Sequence, residues 1–445
     1  MYETLHPITY YFYPLLEERG LDACDPTILF SPSDAVWPET LLYVHVPYCH
    51  DLCRFCPFHV RVAPERETYV RYAEALIQEA RLVAKQPNIA GRPIRAVYFG
   101  GGSPSILPVD VIAGVFDALE QEFTLTADVE ISFEGEPRTL SNPALLELLA
   151  RRRVSRVSYG LQTFDPVQRH DRFNIRATLQ DVENCTNNAR RIGFKDINAD
   201  MLYDLPGQDL SALREDLRRV GELGLDSVDY YNLHYFAFPS TFKAKMDRGE
   251  IPAKPDQDVH LLLAREVRRG MEELGLHNVA DQIFSRHGAV CEYFRLLWGG
   301  GDGDHQAETI ALGASARGYL AGRCYMNDSN TASYLSAVEA GRLPIQKISR
   351  GLQRPENRGA VFMAKFLRLS KHRRTAYESV APDVRRQWSE WGLVEETDDA
   401  WILTERGKDW TTNMMYDAFE ESQRMGAGTS LVRLVGRPGS RTGTF

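Results

Sequence analysis

The chain has 445 residues, 43% of them hydrophobic, and a net charge of −9, which is ample for a large core in two or three domains and argues against a nucleic-acid binder that works through an overall basic face. The opening MYETLHPITYYFYP lacks a positive start followed by an apolar region, and no run of roughly 18 apolar residues occurs, so neither a secretory signal nor a membrane span is expected. Seven cysteines in so long a chain do not suggest a disulfide framework, and a reducing, cytoplasmic compartment is the expectation.

Residues 1–40 are rich in aromatics and proline without clear periodicity, and read as an irregular arm lying on a larger body. From residue 41 short apolar runs alternate with longer charged segments. The runs LLYVHV (41–46), IRAVYF (94–99), DVEISF (128–133), VSRVSYG (154–160), INADMLYDL (197–205) and DSVDYYNL (226–233) have the length and the β-branched and aromatic content of buried strands. Between them, residues 66–85, 107–123, 142–152, 178–193 and 210–224 have helical spacing, and several end at glycine. Six strands alternating with helices predict parallel βαβ units, short of the eight of a closed barrel, so a partial α/β barrel over 41–255 is expected.

A long amphipathic helix (256–276) opens the segment 256–349, read as an extension of the barrel, with a Gly-rich stretch at 299–303 that suggests a lid. Residues 350–423 read as a small, mostly helical, winged-helix-like domain with a hairpin turning at Asp398–Asp399. The tail 424–445 is Gly-rich and expected to be flexible. The basic stretch SKHRRTAYES (370–379) reads as solvated surface, and no nucleic-acid partner is expected.

YCHDLCRFCPF (48–58) holds Cys49, Cys53 and Cys56 directly after the first strand, at the face where ligands bind in such folds. A zinc knuckle wants four ligands, for which only His50 and His59 lie near. Three thiolates instead suit an iron–sulfur cubane with one iron left open to a ligand. Polar residues recur at the later strand ends: the glycines of YFGGGSPS (98–105), the carboxylates of EISFEGEP (130–137), Gln162 in SYGLQTFD, and Asp200 in NADMLYDLPGQ.

The cysteine triad and these strand ends, in this order, resemble the radical S-adenosylmethionine superfamily. The stretches LYVHVPYCHDLCRFC, YFGGGSPS, EISFEGEP, YGLQTFD and DMLYDLPGQ are most similar to oxygen-independent coproporphyrinogen III oxidase and its relatives, over roughly residues 40–415. The resemblance implies a 4Fe-4S cluster held by Cys49, Cys53 and Cys56. It implies a first S-adenosylmethionine lined by Gly101, Gly102, Glu130, Gln162, Arg172 and Asp200. It implies a second one near Tyr43, with Gln282, Phe284, Gly313 and Ala314 completing that pocket. One electron from such a cluster cleaves the sulfonium and yields a 5′-deoxyadenosyl radical, so a low-potential donor such as a flavodoxin or ferredoxin is implied.

The sequence departs from the oxidase at CPFHV, where Pro57 and Phe58 replace the family's run after the third cysteine. Relatives on the same scaffold transfer methyl or methylene groups to sp² carbons. The expectation at this point is a methyl- or methylene-transferring enzyme acting on a flat, unsaturated small molecule. An oxidative decarboxylase of coproporphyrinogen III or a heme-binding chaperone are the alternatives. The aromatic segments YYFYPLL (10–16) and DYYNLHYFAFP (229–239) suit a pocket or a core equally. Tyr43, His234 and Tyr235 are the candidates for acid–base work, His234 and Tyr235 because they lie at the end of the sixth strand.

Overall fold

The computed structural model describes residues 1–16, 25–31, 39–62, 65–299 and 307–424. Each of the six apolar runs is a strand: β1 (Thr40–Val46), β2 (Pro93–Gly101), β3 (Thr124–Gly135), β4 (Val154–Gln162), β5 (Asp196–Tyr203) and β6 (Ser227–Asn232). All neighbouring pairs among them are parallel. The helices Arg66–Ala84, Val109–Glu122, Pro143–Arg151, Leu179–Ile192 and Leu210–Leu223 make the crossovers. Local chemistry sets their limits. Thr178 and Asp181 form a reciprocal capping box, the Asn142 and Asp209 side chains accept first-turn N–H groups, and Gly193 and Gly224 end their helices in the left-handed conformation.

The main core lies between the helices and the outer sheet face. Leu42, Val44, Val97, Phe99, Ile131, Phe133 and Val157 meet Leu76, Val115, Phe116 and Leu149 there. Each such side chain contributes about 1.5–3 kcal/mol when fully buried. Alternation then turns Tyr43, Tyr98, Ser132 and Arg156, which pair in one row across β1–β4, to the barrel interior.

The barrel is open, as the count of six strands predicts, but its sheet is wider. On the β6 side, β7 (His277–Ala280) and β8 (Ile283–Ser285) add antiparallel strands. On the β1 side, β9 (Glu308–Leu312) runs parallel to β1, and β10 (Arg317–Leu320), β11 (Arg323–Asn327) and β12 (Ile345–Ile348) continue antiparallel. The result is a 12-stranded sheet in the order β12-β11-β10-β9-β1-β2-β3-β4-β5-β6-β8-β7.

Helices Asn357–Phe366, Pro382–Glu390 and Thr411–Ala418 pack with a three-stranded sheet (368–370, 400–403, 394–396) into the helical C-terminal unit. The described part of the arm lies on this unit. Tyr2 donates to Asp417, the Asn413 side chain accepts from His6 N–H at 2.9 Å, and Tyr13 O–H donates to Asn357 at 2.8 Å. Buried Lys365 meets Asp281 at 3.0 Å and ties the unit to the barrel. In the basic stretch Lys371 meets Glu396, Arg374 meets Glu378, and nearby Arg368 meets Asp399, so acidic neighbours offset its charge. Most of the Gly-rich 299–303 segment and the tail beyond 424 lie outside the described residues. Among the described residues no helix is long and apolar enough to cross a membrane.

Candidate active site

The cysteine loop leaves β1 through Pro47, and Tyr48–Cys49 pairs in parallel with Arg61–Val62, so the loop closes on its own stem. Its far side is braced by the residues after β4. Arg54 N–H donates to Phe173 O at 3.0 Å, the Arg54 guanidinium donates to the carbonyls of Asp171 and Arg172, and the Asn174 amide donates to Leu52 O. Arg138 bridges Asp51 at 2.7 Å to Glu136 at 2.7 Å.

Cys49, Cys53 and Cys56 are half-buried and free of disulfides. Burial and the neighbouring thiol push Cys49 up to about 12, burial pushes Cys56 up to about 11, and Cys53 is raised by the same causes as Cys49. Three thiols that repel one another's charge are close enough to serve one cationic group, whose irons would reverse this penalty. Among the described residues no three His, Cys, Asp or Glu converge on a single-ion position. A cubane makes no such demand, since each thiolate binds a different iron. The donor set therefore fits a three-thiolate cluster.

The glycine turn sits against this loop. Gly102 N–H donates to Val46 O and Ser103 N–H to Tyr48 O, both at 2.8 Å. A Cβ on Gly102 would lie 2.5 Å from Tyr48 O, and one on Gly101, whose φ is +110°, would lie 2.5 Å from the His45 ring. Close approach to the Tyr48 backbone thus requires Gly102, and the His45 ring and the positive φ require Gly101, in addition to any approach by a ligand.

Glu130 does not reach the strand end. It lies on the interior face of β3, four residues before Glu134, about 13 Å deeper at strand rise. There its carboxylate accepts the N–H of Glu292 at 2.8 Å, at the start of helix Glu292–Leu297. The carboxylate at the mouth is Glu134, which accepts from Tyr98 O–H at 2.5 Å and lies 2.7 Å from where a Gly100 Cβ would be.

Asp200 on β5 pairs in register with Asp229 on β6, and both face the interior. Asn198 donates to Asp200 at 3.2 Å and Tyr231 O–H to Asp229 at 3.1 Å. Buried Arg156 serves this cluster, 3.1 Å from Asp196 and 3.6 Å from Asp229. Burial raises the carboxyls of Glu134, Asp200 and Asp229, and Asp200 is raised further by Asp229 and Glu134. The set holds protons readily and suits ligand hydroxyls, an ammonium or a sulfonium.

Gln162 ends β4 half-buried with φ +72°. Arg172 is engaged otherwise. Its guanidinium donates to Pro206 O at 2.8 Å and its carbonyl receives Arg54, so it braces the cysteine loop.

The residues expected at a second cofactor divide into two groups. Tyr43 lies in the barrel, its hydroxyl 3.1 Å from His45 Nδ1 and its ring 6.3 Å from Tyr98. Burial drives His45 down to about 3, so it is neutral. Gly313 N–H donates to the Glu79 carboxylate at 2.7 Å, and Ala314 N–H donates to the Tyr72 hydroxyl at 2.9 Å. Those two backbone donors are therefore committed inside the protein. Gln282 and Phe284, with His234 and Tyr235, instead line a cavity of about 460 Å³ between the arm, the end of β6 and the C-terminal unit. None of the triad cysteines, the glycine turn or Asp200 lines it. Tyr235 O–H donates to Asp204 O at 2.7 Å, and burial beside Lys365 lowers His234 to about 4. Tyr235 packs against the same apolar cluster as Cys53, with its hydroxyl committed to the Asp204 carbonyl.

The sequence offers Glu134 only among the carboxylates of EISFEGEP, and does not point to Arg156, Asp229 or Tyr98 as ligands. The signal that finds them is alternation along β2–β6, once the interior face is fixed by Asp200.

A family model described as the radical SAM superfamily matches residues 43–220, from Tyr43 through the triad to beyond Asp200. Oxygen-independent coproporphyrinogen III oxidase of Escherichia coli K12 is 32% identical over 344 residues, 74% of this chain and 72% of that protein. Anaerobilin synthase of Escherichia coli O157:H7 is 27% identical over 396 residues, 87% and 86% of the two chains. The solved structure of the Escherichia coli coproporphyrinogen III oxidase, described as a radical SAM enzyme, superposes with a TM-score of 0.74 over 88% of this chain and 92% of that one, at 23% identity.

Proposed function

The chain belongs to the radical SAM superfamily, in the group of the oxygen-independent coproporphyrinogen III oxidases, and on that premise we propose that it performs oxidative radical chemistry on a cyclic tetrapyrrole. The observation that carries this reading is the interior of the barrel. Half-buried Tyr43 and buried Tyr98 and Tyr293 line it, with ring centroids of Tyr98 and Tyr293 4.9 Å apart. Tyr11 of the arm lies with its ring centroid 4.6 Å from the Lys365 ammonium, and burial and the charges of Asp281, Asp229 and Asp200 raise its hydroxyl. Flat aromatic walls beside the cysteine loop suit a flat macrocycle.

The relatives support this reading over the methyl or methylene transfer expected from CPFHV. Their names describe an oxidase, an anaerobilin synthase and a heme chaperone.

The cluster and bound S-adenosylmethionine supply the 5′-deoxyadenosyl radical. This chain's residues hold and orient the reactants. Cys49, Cys53 and Cys56 bind the cluster, and Glu134, Gln162 and Asp200 receive the hydroxyl and ammonium groups of the first S-adenosylmethionine. Tyr43 closes the chamber on the side where a second one would sit. A flavodoxin- or ferredoxin-like donor delivers the electron.

The test is anaerobic incubation of the iron-reconstituted chain with reductant and S-adenosylmethionine, with coproporphyrinogen III, with hemin, or with neither. The reading expects 5′-deoxyadenosine formation to rise on adding a tetrapyrrole. Formation that is indifferent to both tetrapyrroles overturns it. Tetrapyrrole binding without any 5′-deoxyadenosine favours the chaperone reading instead.

A further inference from the structure

A substrate with acid side chains needs a basic wall, and the ends of β2–β6 are acidic. Arg156 on β4 is paired with Asp196 and Asp229, and further basic groups lie on the added strands. Arg317 pairs in register with Met326, and Met326 with Lys347, across β10, β11 and β12. Residues paired in register share a face, and two strands separate these cations by about 10 Å. The same row continues toward the barrel. Thr309 pairs with Tyr319, which sets Ala311 opposite Arg317, and Ala311 pairs with Tyr43. Arg317 therefore stands on the Tyr43 face of the sheet.

Among the described residues, the surroundings of Arg317 offer no counter-ion. Its guanidinium lies 5.9 Å from the Phe12 ring centroid, at the edge of a cation–π contact. The groups whose fields favour its charge are the Cys324 thiol and the Tyr43 hydroxyl, and burial lowers it to about 10. Lys347 is lowered by burial and by Arg317 itself. Among the described residues, no hydrogen bond or ion pair reaches either side chain. Among the described residues, buried Arg169 and Arg358 donate to backbone carbonyls, and three other buried cations meet carboxylates. Arg156 meets Asp196 and Asp229, Lys365 meets Asp281, and Arg92 meets Glu308 at 2.5 Å. An unmatched cation among aromatic neighbours is costly unless a ligand supplies the anion.

We propose that Arg317, supported by Lys347, anchors a carboxylate of a ligand seated in the chamber over Tyr43 and Phe12. Two ligands carry that chemistry: an acid side chain of the substrate, or the aminoacyl carboxylate of a second S-adenosylmethionine. The inference deepens the tetrapyrrole reading and rests on it for the first source alone.

The test uses the full cluster-reconstituted chain and the variants Arg317→Gln, Arg317→Lys and Lys347→Gln. Coproporphyrin III and its tetramethyl ester are titrated against each, and bound S-adenosylmethionine per chain is counted by equilibrium dialysis. With a substrate carboxylate, Arg317→Gln weakens the free acid by about ten- to a hundredfold, leaves the ester unchanged, and Arg317→Lys retains most of the affinity. With an aminoacyl carboxylate, Arg317→Gln instead removes one bound S-adenosylmethionine. Arg317→Gln with full cluster content and neither change overturns the anchor. Should Arg317→Gln fail to take up iron, Lys347→Gln, a half-buried position, decides on the same readouts with a smaller shift of the same sign. A wild-type chain that binds neither porphyrin removes the tetrapyrrole reading, and the dialysis alone then decides the role of Arg317.

Discussion

Cys53→Ser abolishes 5′-deoxyadenosine formation and leaves the barrel folded. The loss expected is about a thousandfold or more, because removing only the supporting partners of a metal ligand already costs ~10–100-fold, and Cys53 is one of just three thiols in the loop. The fold survives because the loop is held by groups other than the sulfur. Arg54 binds the backbone of 171–173, Asn174 binds Leu52 O, and Arg138 binds Asp51. Iron and sulfide analysis with the electron paramagnetic resonance spectrum of the reduced protein measures the first effect, and circular dichroism the second. Full turnover by Cys53→Ser would remove the cluster from the account.

Two glutamates on one face of β3 give the second prediction. Glu134→Gln weakens S-adenosylmethionine binding by about ten- to a hundredfold, the range for a hydrogen bond to a charged group. Glu130→Gln leaves that affinity unchanged. It instead weakens the charge-assisted bond to Glu292 N–H at the start of helix Glu292–Leu297, which appears as a lower unfolding midpoint. Equilibrium dialysis of S-adenosylmethionine against the two reconstituted variants separates the outcomes. Equal losses in both, or a loss in Glu130→Gln alone, would return the ligand role to Glu130.

That pair also marks where sequence reasoning stops. EISFEGEP shows that Glu130 and Glu134 share a face, because alternation is local. It does not show depth, which is set by a helix packed against β3 from 162 residues away. The six long strands were legible because apolar runs bounded by turn chemistry announce themselves. The edge strands β7–β12 are three to five residues each and mostly antiparallel, too short for a period to emerge.

The resemblance points to Gly313 and Ala314, but the sequence does not show their wiring. Glu79 and Tyr72, which take the N–H groups of Gly313 and Ala314, belong to the helix Arg66–Ala84. Glu79 lies on the buried side of that helix, where burial raises it to about 7, held by Tyr334 and Asn327 as well. A glutamate in an amphipathic helix ordinarily reads as surface. Arg156 is hidden in the same way. Within VSRVSYG it reads as a strand residue, and only the pairing of β4, β5 and β6 brings Asp196 and Asp229 to it.

The most direct test of the central claim follows where the hydrogen in 5′-deoxyadenosine comes from. The reconstituted chain is given a uniformly deuterated tetrapyrrole with ordinary S-adenosylmethionine, and in parallel the ordinary tetrapyrrole with S-adenosylmethionine deuterated at its methyl group. Oxidative chemistry on the tetrapyrrole predicts deuterium in 5′-deoxyadenosine from the first pair and none from the second. Deuterium from the second pair alone would contradict it and return the chain to methyl or methylene transfer.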